Sequence, residues 1–142
     1  MTRDPDCIFC KIIAGDIPSF KVYEDDKSFA FMDINPANEG HALAIPKNHA
    51  PDVFNIAEAD IAAVANAARL VAGALAEELD LEGLNLVQAN GPAAKQSVMH
   101  FHIHILPRTM DDSLHLNWPL NPGDKEAIGA LAGHIRARLS QA

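Results

Sequence analysis

From Met99 to Ile105 the chain reads MHFHIHI, an unbroken two-residue alternation. His100, His102 and His104 take one set of positions, and Met99, Phe101, Ile103 and Ile105 take the other. Successive side chains of a β-strand point to opposite faces, so this spacing specifies a strand with one imidazole face and one apolar face. Imidazoles two residues apart are about 6.6 Å from each other at roughly 3.3 Å of rise per residue, close enough to surround one small anionic group. The apolar side has to be covered, and a helix can pack on it.

The remaining elements fit around such a strand. "CIFCKIIA" reads as a short apolar turn of helix stopped by Gly15. "KVYED" and "FAFMD", separated by the polar Asp25-Asp26-Lys27 turn, form a hairpin. "NPANEG" is a loop, and "HALAIP" is a third strand ending at Pro46. Asn55 and Glu58 resemble a capping box. Beyond it, Ile61, Val64, Ala68, Val71, Leu75 and Leu79 recur at three- and four-residue steps, which specifies a helix with one buried stripe. "LNLVQA" is a fourth strand and "VMHFHIHILP" a fifth, joined by the loop "NGPAAKQS". Residues 111–123 are irregular, and Ile128, Leu131, Ile135 and Leu139 mark a helix starting at Lys125. Strands able to pair antiparallel, with helices segregated from them, predict an α+β class. The chain of 142 residues suits a single domain spanning 1–142. Its core is expected at 7–108, with an extension at 109–142 that carries the last helix.

The formal net charge of −8 repels nucleic-acid backbones and argues against extended DNA or RNA binding. One small phosphorylated ligand remains compatible, because a local pocket can oppose the global charge. Hydrophobic residues make up 49% of the chain, ordinary for a globular protein. The longest apolar stretch, "IAAVANAARLVAGAL", is interrupted by Asn66 and Arg69 and suits a packed helix better than a bilayer. With no basic-then-apolar leader in "MTRDPDCIFCK", a cytoplasmic location with no membrane attachment is expected. In a reducing compartment Cys7-x-x-Cys10 means a metal site, a redox pair or two buried thiols.

An alternating His pair on a strand can supply ligands to a catalytic zinc. Alternatively, one imidazole can attack phosphorus while its neighbours manage protons and charge. The surroundings favour the second. Just before the strand, "ANGPAAKQSV" offers Asn90, Gln96, Ser97 and backbone amides to phosphate oxygens, and a fourth histidine, His41, opens the "HALAIP" strand.

Together "CIFCKIIAGDIPSFKVYEDD", "FMDINPANEGHALAIPKNH" and "NG…QSVMHFHIHILPR" resemble the histidine-triad (HIT) family, over nearly the whole stretch from Cys7 to Arg108. The resemblance implies a HIT-like fold, with a five-stranded antiparallel sheet, a long helix and a C-terminal helix, paired into a homodimer. It also implies a nucleotide hydrolase or nucleotidyl transferase. His102 would attack the α-phosphorus of a purine nucleotide, His104 would contact the phosphate and help the leaving group depart, and His41 would orient His104. Having His104, where the hexose-1-phosphate uridylyltransferase branch has Gln, favours hydrolysis of phosphoramidates or dinucleoside polyphosphates. Asp33 would bind ribose hydroxyls. Ile8, Phe9, Ile12, Ile17, Phe31 and Ile34 would line the purine pocket, and Asn90 and Ser97 would serve the phosphate. Lys95 departs from the small residue usual at its place. Cys7, Cys10, His49 and His100 match the branch of the family that holds a structural zinc ion. The resemblance also leaves open a regulatory or adaptor protein that binds nucleotides with little turnover.

Overall fold

A sheet of five strands, every neighbouring pair antiparallel, divides the chain into two layers in the computed structural model, which describes all 142 residues. In chain order the elements are α1 (Ile8–Ala14), β1 (Lys21–Glu24), β2 (Ser28–Met32), β3 (Ala42–Pro46), α2 (Glu58–Glu78), β4 (Gly83–Gln88), β5 (Ile103–Arg108) and α3 (Lys125–Leu139), with a 3-10 turn at Pro92–Ala94. Spatially the strands run β1-β2-β3-β5-β4, so the histidine-bearing strand lies inside the sheet.

Register assigns the faces. Leu43 pairs with Phe31 and with His104, so these three share one face. Ala30, Ala42 and Ala44 share the other with Ile103 and Ile105. On that second face small residues let α2 lie close. Val64, Ala67, Ala68, Val71 and Leu75 of the helix form one core with Ala30, Ala42, Ala44, Phe101 and Ile105. The stripe expected from the sequence is therefore the packing stripe, with Ile61 and Leu79 at its partly buried margins. On the opposite face α1 packs Phe9 and Cys10 against Phe29, Phe31, Leu43 and Ile45, forming a second core.

Two glycines allow sharp changes of direction. Gly15 ends α1 at φ 85°, and its N–H returns to the Ile12 carbonyl. Gly40 (φ 86°) leads into β3, where a Cβ would meet Leu79 Cδ1 at 2.6 Å.

Several expectations need correction. The β5 ladder starts only at Ile103, because Phe101 gives its N–H to the Ala50 carbonyl outside the sheet. Met99 thus escapes the apolar face and is 53% exposed, although Phe101 and Ile105 are buried as the alternation requires. No capping box forms, since Ala57 is the N-cap of α2 and the Asn55 amide turns to Asp52 instead. The 21 residues of α2 are long and apolar enough to cross a bilayer, by length and composition alone. One side of this helix instead covers the sheet. The α3 stripe forms as expected behind the N-cap Asp124, but no residue of that helix is buried.

Candidate active site

The alternation in "MHFHIHI" and the turn of α1 meet at one place. His100 and His102 are buried, and Phe9 of α1 meets both rings edge-on at centroid distances of 5.8 and 5.3 Å. The His104 ring lies 4.9 Å from that of His102. His41, from the start of β3, reaches across with its Nε2 2.9 Å from His104 Nδ1.

Each ring's hydrogen can be placed from its partners. The His100 carbonyl only accepts, so His102 Nδ1, 2.7 Å away, carries a hydrogen and donates it. The neutral ring then keeps its lone pair on Nε2. The Ala37 N–H donates to His41 Nδ1 at 3.0 Å, so a neutral His41 carries its hydrogen on Nε2 and gives it to His104 Nδ1. His104 in turn holds its hydrogen on Nε2. One imidazole is thus set as a nucleophile and its neighbour as a donor. Burial keeps all three neutral. It pushes His104 down to about 4, helped by nearby His102 and His41, and it pushes His102 and His41 below their usual values, with Asp33 partly opposing.

A cleft of about 260 Å³ opens onto His102 and His104. All six apolar residues expected around a purine line it, namely Ile8, Phe9, Ile12, Ile17, Phe31 and Ile34, together with Asp33 and Ser97. Ile34 is 74% exposed, forming the rim rather than the floor. Asp33 is held by the Asn35 N–H on Oδ1, while Oδ2 lies 3.6 Å from His41 Nε2. Asn90 and Gln96 do not line the cleft. Gln96 gives both amide hydrogens to the Pro51 and Val98 carbonyls and accepts the Gly91 N–H. Asn90 accepts the Val53 N–H and pairs with Gln88. Both side chains therefore brace the loop from which Ser97 faces the cleft. Leu43, Val98, Ser19 and Asn35 also line the cleft and were not singled out from the sequence. Leu43 was within reach of the alternation, because "HALAIP" puts it on the same face as His41. The loop residues carry no periodic signal.

Behind the triad, Cys7, Cys10, His49 and His100 converge. Cys7 Sγ and His100 Nδ1 are 3.4 Å apart, Cys10 Sγ and His49 Nδ1 3.4 Å, Cys10 Sγ and His100 Nδ1 3.6 Å, and the two Nδ1 atoms 3.2 Å. Ligand bonds of about 2.3 Å to sulfur and 2.0–2.1 Å to nitrogen, set tetrahedrally, give ligand separations of about 3.3–3.6 Å. The four side chains thus fit one tetrahedral ion. The supporting bonds agree, since His100 Nε2 donates to the Pro46 carbonyl at 2.8 Å and the Asp4 N–H points at Cys10 Sγ. Asp33, His41 and His104 also lie within ligand distance of one another. There the Ala37 N–H occupies His41 Nδ1, which forces the hydrogen onto the Nε2 that a metal would need.

Comparison with known proteins agrees with this geometry. Residues 14–111 match the HIT domain family model. Cys7 and Cys10 precede that stretch. The chain is 48% identical to the protein named hit from Bacillus subtilis, over 94% of each. It is 40% identical to adenosine 5'-monophosphoramidase HNT1 of Saccharomyces cerevisiae, over 97% of this chain and 85% of the yeast protein. The crystal structure of a Zn-bound histidine triad family protein from Mycobacterium smegmatis superposes with a TM-score of 0.74 at 34% identity, covering 96% of each. With the triad, the five-stranded sheet and these likenesses in agreement, the chain belongs to the HIT family and resembles its histidine triad nucleotide-binding proteins.

Proposed function

We propose that the protein is a hydrolase that cleaves at the α-phosphate of purine nucleoside phosphoramidates or dinucleoside polyphosphates and releases a nucleoside monophosphate. The observation carrying this reading is His102, whose Nδ1–H is fastened to a carbonyl while its Nε2 is free beside a cleft that also presents Asp33. The purine lies among Phe9, Phe31 and the isoleucines, and Asp33 accepts hydrogen bonds from the ribose hydroxyls. His102 Nε2 attacks the α-phosphorus and forms an N–P bond, while the bond to the leaving group breaks and its electron pair departs with that group. His104 directs its Nε2–H at the departing atom, with His41 holding the ring, and Ser97 serves the phosphate oxygens. Water then attacks the phosphorus and the N–P bond returns its pair to His102. Overall one water is consumed, its hydroxyl ending on phosphorus and its hydrogen on the leaving group. The yeast relative's name supports the phosphoramidate class.

Zinc is the ion that the Cys2His2 set best suits, and the Mycobacterium smegmatis neighbour is described as Zn-bound. It would be structural, fastening α1 to the segment that leads into β5.

The reading includes a homodimer. On the helix side α2 packs over β1, β2, β3 and β5, leaving Leu86 of edge strand β4 51% exposed. The outer side of α2, with Ala62, Ala65, Leu70 and Ala74, is exposed as well. A second copy would cover both surfaces. The reading also includes a cytoplasmic location, a reducing compartment in which Cys7 and Cys10 stay available to a metal ion.

The test is to mix the protein with an adenosine phosphoramidate and with a dinucleoside polyphosphate, follow AMP release, and quench with labelled substrate. Expected are AMP and an acid-labile nucleotidyl-imidazole on His102. Label on another residue, or no AMP from either compound, sinks the proposal.

A further inference from the structure

Apart from its imidazoles, the cleft carries one charged side chain, the carboxylate of Asp33, in a chain of net charge −8. A nucleotide with a further anionic group beyond the α-phosphorus therefore needs a cation at the mouth of the cleft. Lys95 stands there. It follows the 3-10 turn at Pro92–Ala94 in the left-handed conformation, φ 63° and ψ 34°, and it is the one residue other than glycine with positive φ. A side chain with a Cβ is strained in that conformation, where glycine is at ease. The sequence thus puts a lysine where the backbone favours none.

The loop beneath it is braced. Gln96 ties the loop to Pro51, Val98 and Gly91, and the Lys95 N–H closes onto the Pro92 carbonyl. Ser97, two residues on, lines the cleft with His102 and His104. Two residues span at most about 7 Å, a distance that a lysine's four-carbon stem comes close to bridging. Lys95 is exposed and, like Lys11 and Lys125, has no carboxylate partner, so its ammonium is free to meet a ligand.

We propose that Lys95 recognises anionic leaving groups. Its ammonium pairs with the phosphate or sulfate joined to the nucleotide's α-phosphorus and selects such substrates over those whose leaving group is an amine. This inference rests on the hydrolase reading only in placing the α-phosphate at His102.

Binding tests it without turnover. ADP and adenosine 5'-phosphosulfate carry the extra anion, and AMP lacks it. Calorimetry on the whole protein is expected to show Lys95→Gln weakening both anion-bearing ligands about fivefold, as for an exposed ion pair. AMP should bind alike in both proteins, and Lys95→Arg should retain the preference. Salt at 0.5 M should erase the difference by screening. A loss confined to one of the two ligands identifies phosphate or sulfate as the group recognised. Equal losses for AMP and ADP, or unchanged ADP affinity with Lys95→Gln, overturn the proposal. A wild-type protein with the Lys95-dependent preference that releases no AMP from either a phosphoramidate or a dinucleoside polyphosphate refutes the hydrolase and leaves the lysine's role standing.

Discussion

The His102 ring is fastened by the main chain of His100, with Nδ1 2.7 Å from that carbonyl oxygen. A ring held this way can aim one lone pair and no other. His102→Ala should lower turnover of an adenosine phosphoramidate by about 10³-fold or more while AMP still binds, as when a group that acts in the transition state is removed. Normal turnover in that variant would discard the nucleophile assignment.

Acid should act later than an ordinary histidine allows. Burial holds His102 and His41 below 6.5 and His104 at about 4. A protonated His102 has no lone pair to offer, so kcat/KM should stay level as pH falls through 6.5 and decline only below it. Stability follows the same sign. The unfolded chain takes up protons near 6.5 that the folded one refuses until lower pH, so Tm should drop across that window. A half-maximal rate at or above pH 6.5 would contradict the burial argument.

Asp33→Ala should weaken AMP binding by about 1.5–3 kcal/mol, the range for hydrogen bonds to a charged group, and weaken 2'-deoxy-AMP binding by less. Equal losses for the two nucleotides would remove the ribose contact.

Metal-replete protein should carry about one zinc per chain. Cys10→Ala, or stripping by a chelator, should lower Tm by on the order of 10 °C, because the ion's binding energy is folding energy. Protein that elemental analysis finds zinc-free after purification in zinc, with both thiols freely titratable, would refute the site.

Lys95→Gly should stabilise the fold by about 1 kcal/mol through release of the left-handed strain, a rise of about 3 °C in Tm. A fall in Tm would show that the lysine side chain holds the loop.

The elements legible in the sequence were those with a period. The two-residue alternation of 99–105 and the stripe from Ile61 to Leu79 each name a face, and both faces are the ones buried around Ala42 and Ala44. What periodicity cannot convey is where a strand starts pairing. Phe101 bonds to Ala50 before the ladder begins, which frees Met99. The cap of α2 failed for a similar reason, since Asp52 competes for Asn55 through a local turn. For the site, it was the resemblance to the HIT family, and no period, that grouped His41, Asp33 and the four metal-ligating candidates. The amides of Asn90 and Gln96, by contrast, are consumed by carbonyls and amides whose positions no local pattern encodes.

His100 accepts the His102 Nδ1–H on its carbonyl oxygen and turns its own Nδ1 to the cluster of Cys7, Cys10 and His49. A single amino acid is thus the peg on which both the ion and the nucleophile hang. Emptying the metal site would slacken that peg and let the attacking ring swing. In any preparation, the fraction of chains that react in a single-turnover burst should then equal the fraction loaded with ion, so that an atomic-absorption reading would serve as a count of competent active sites.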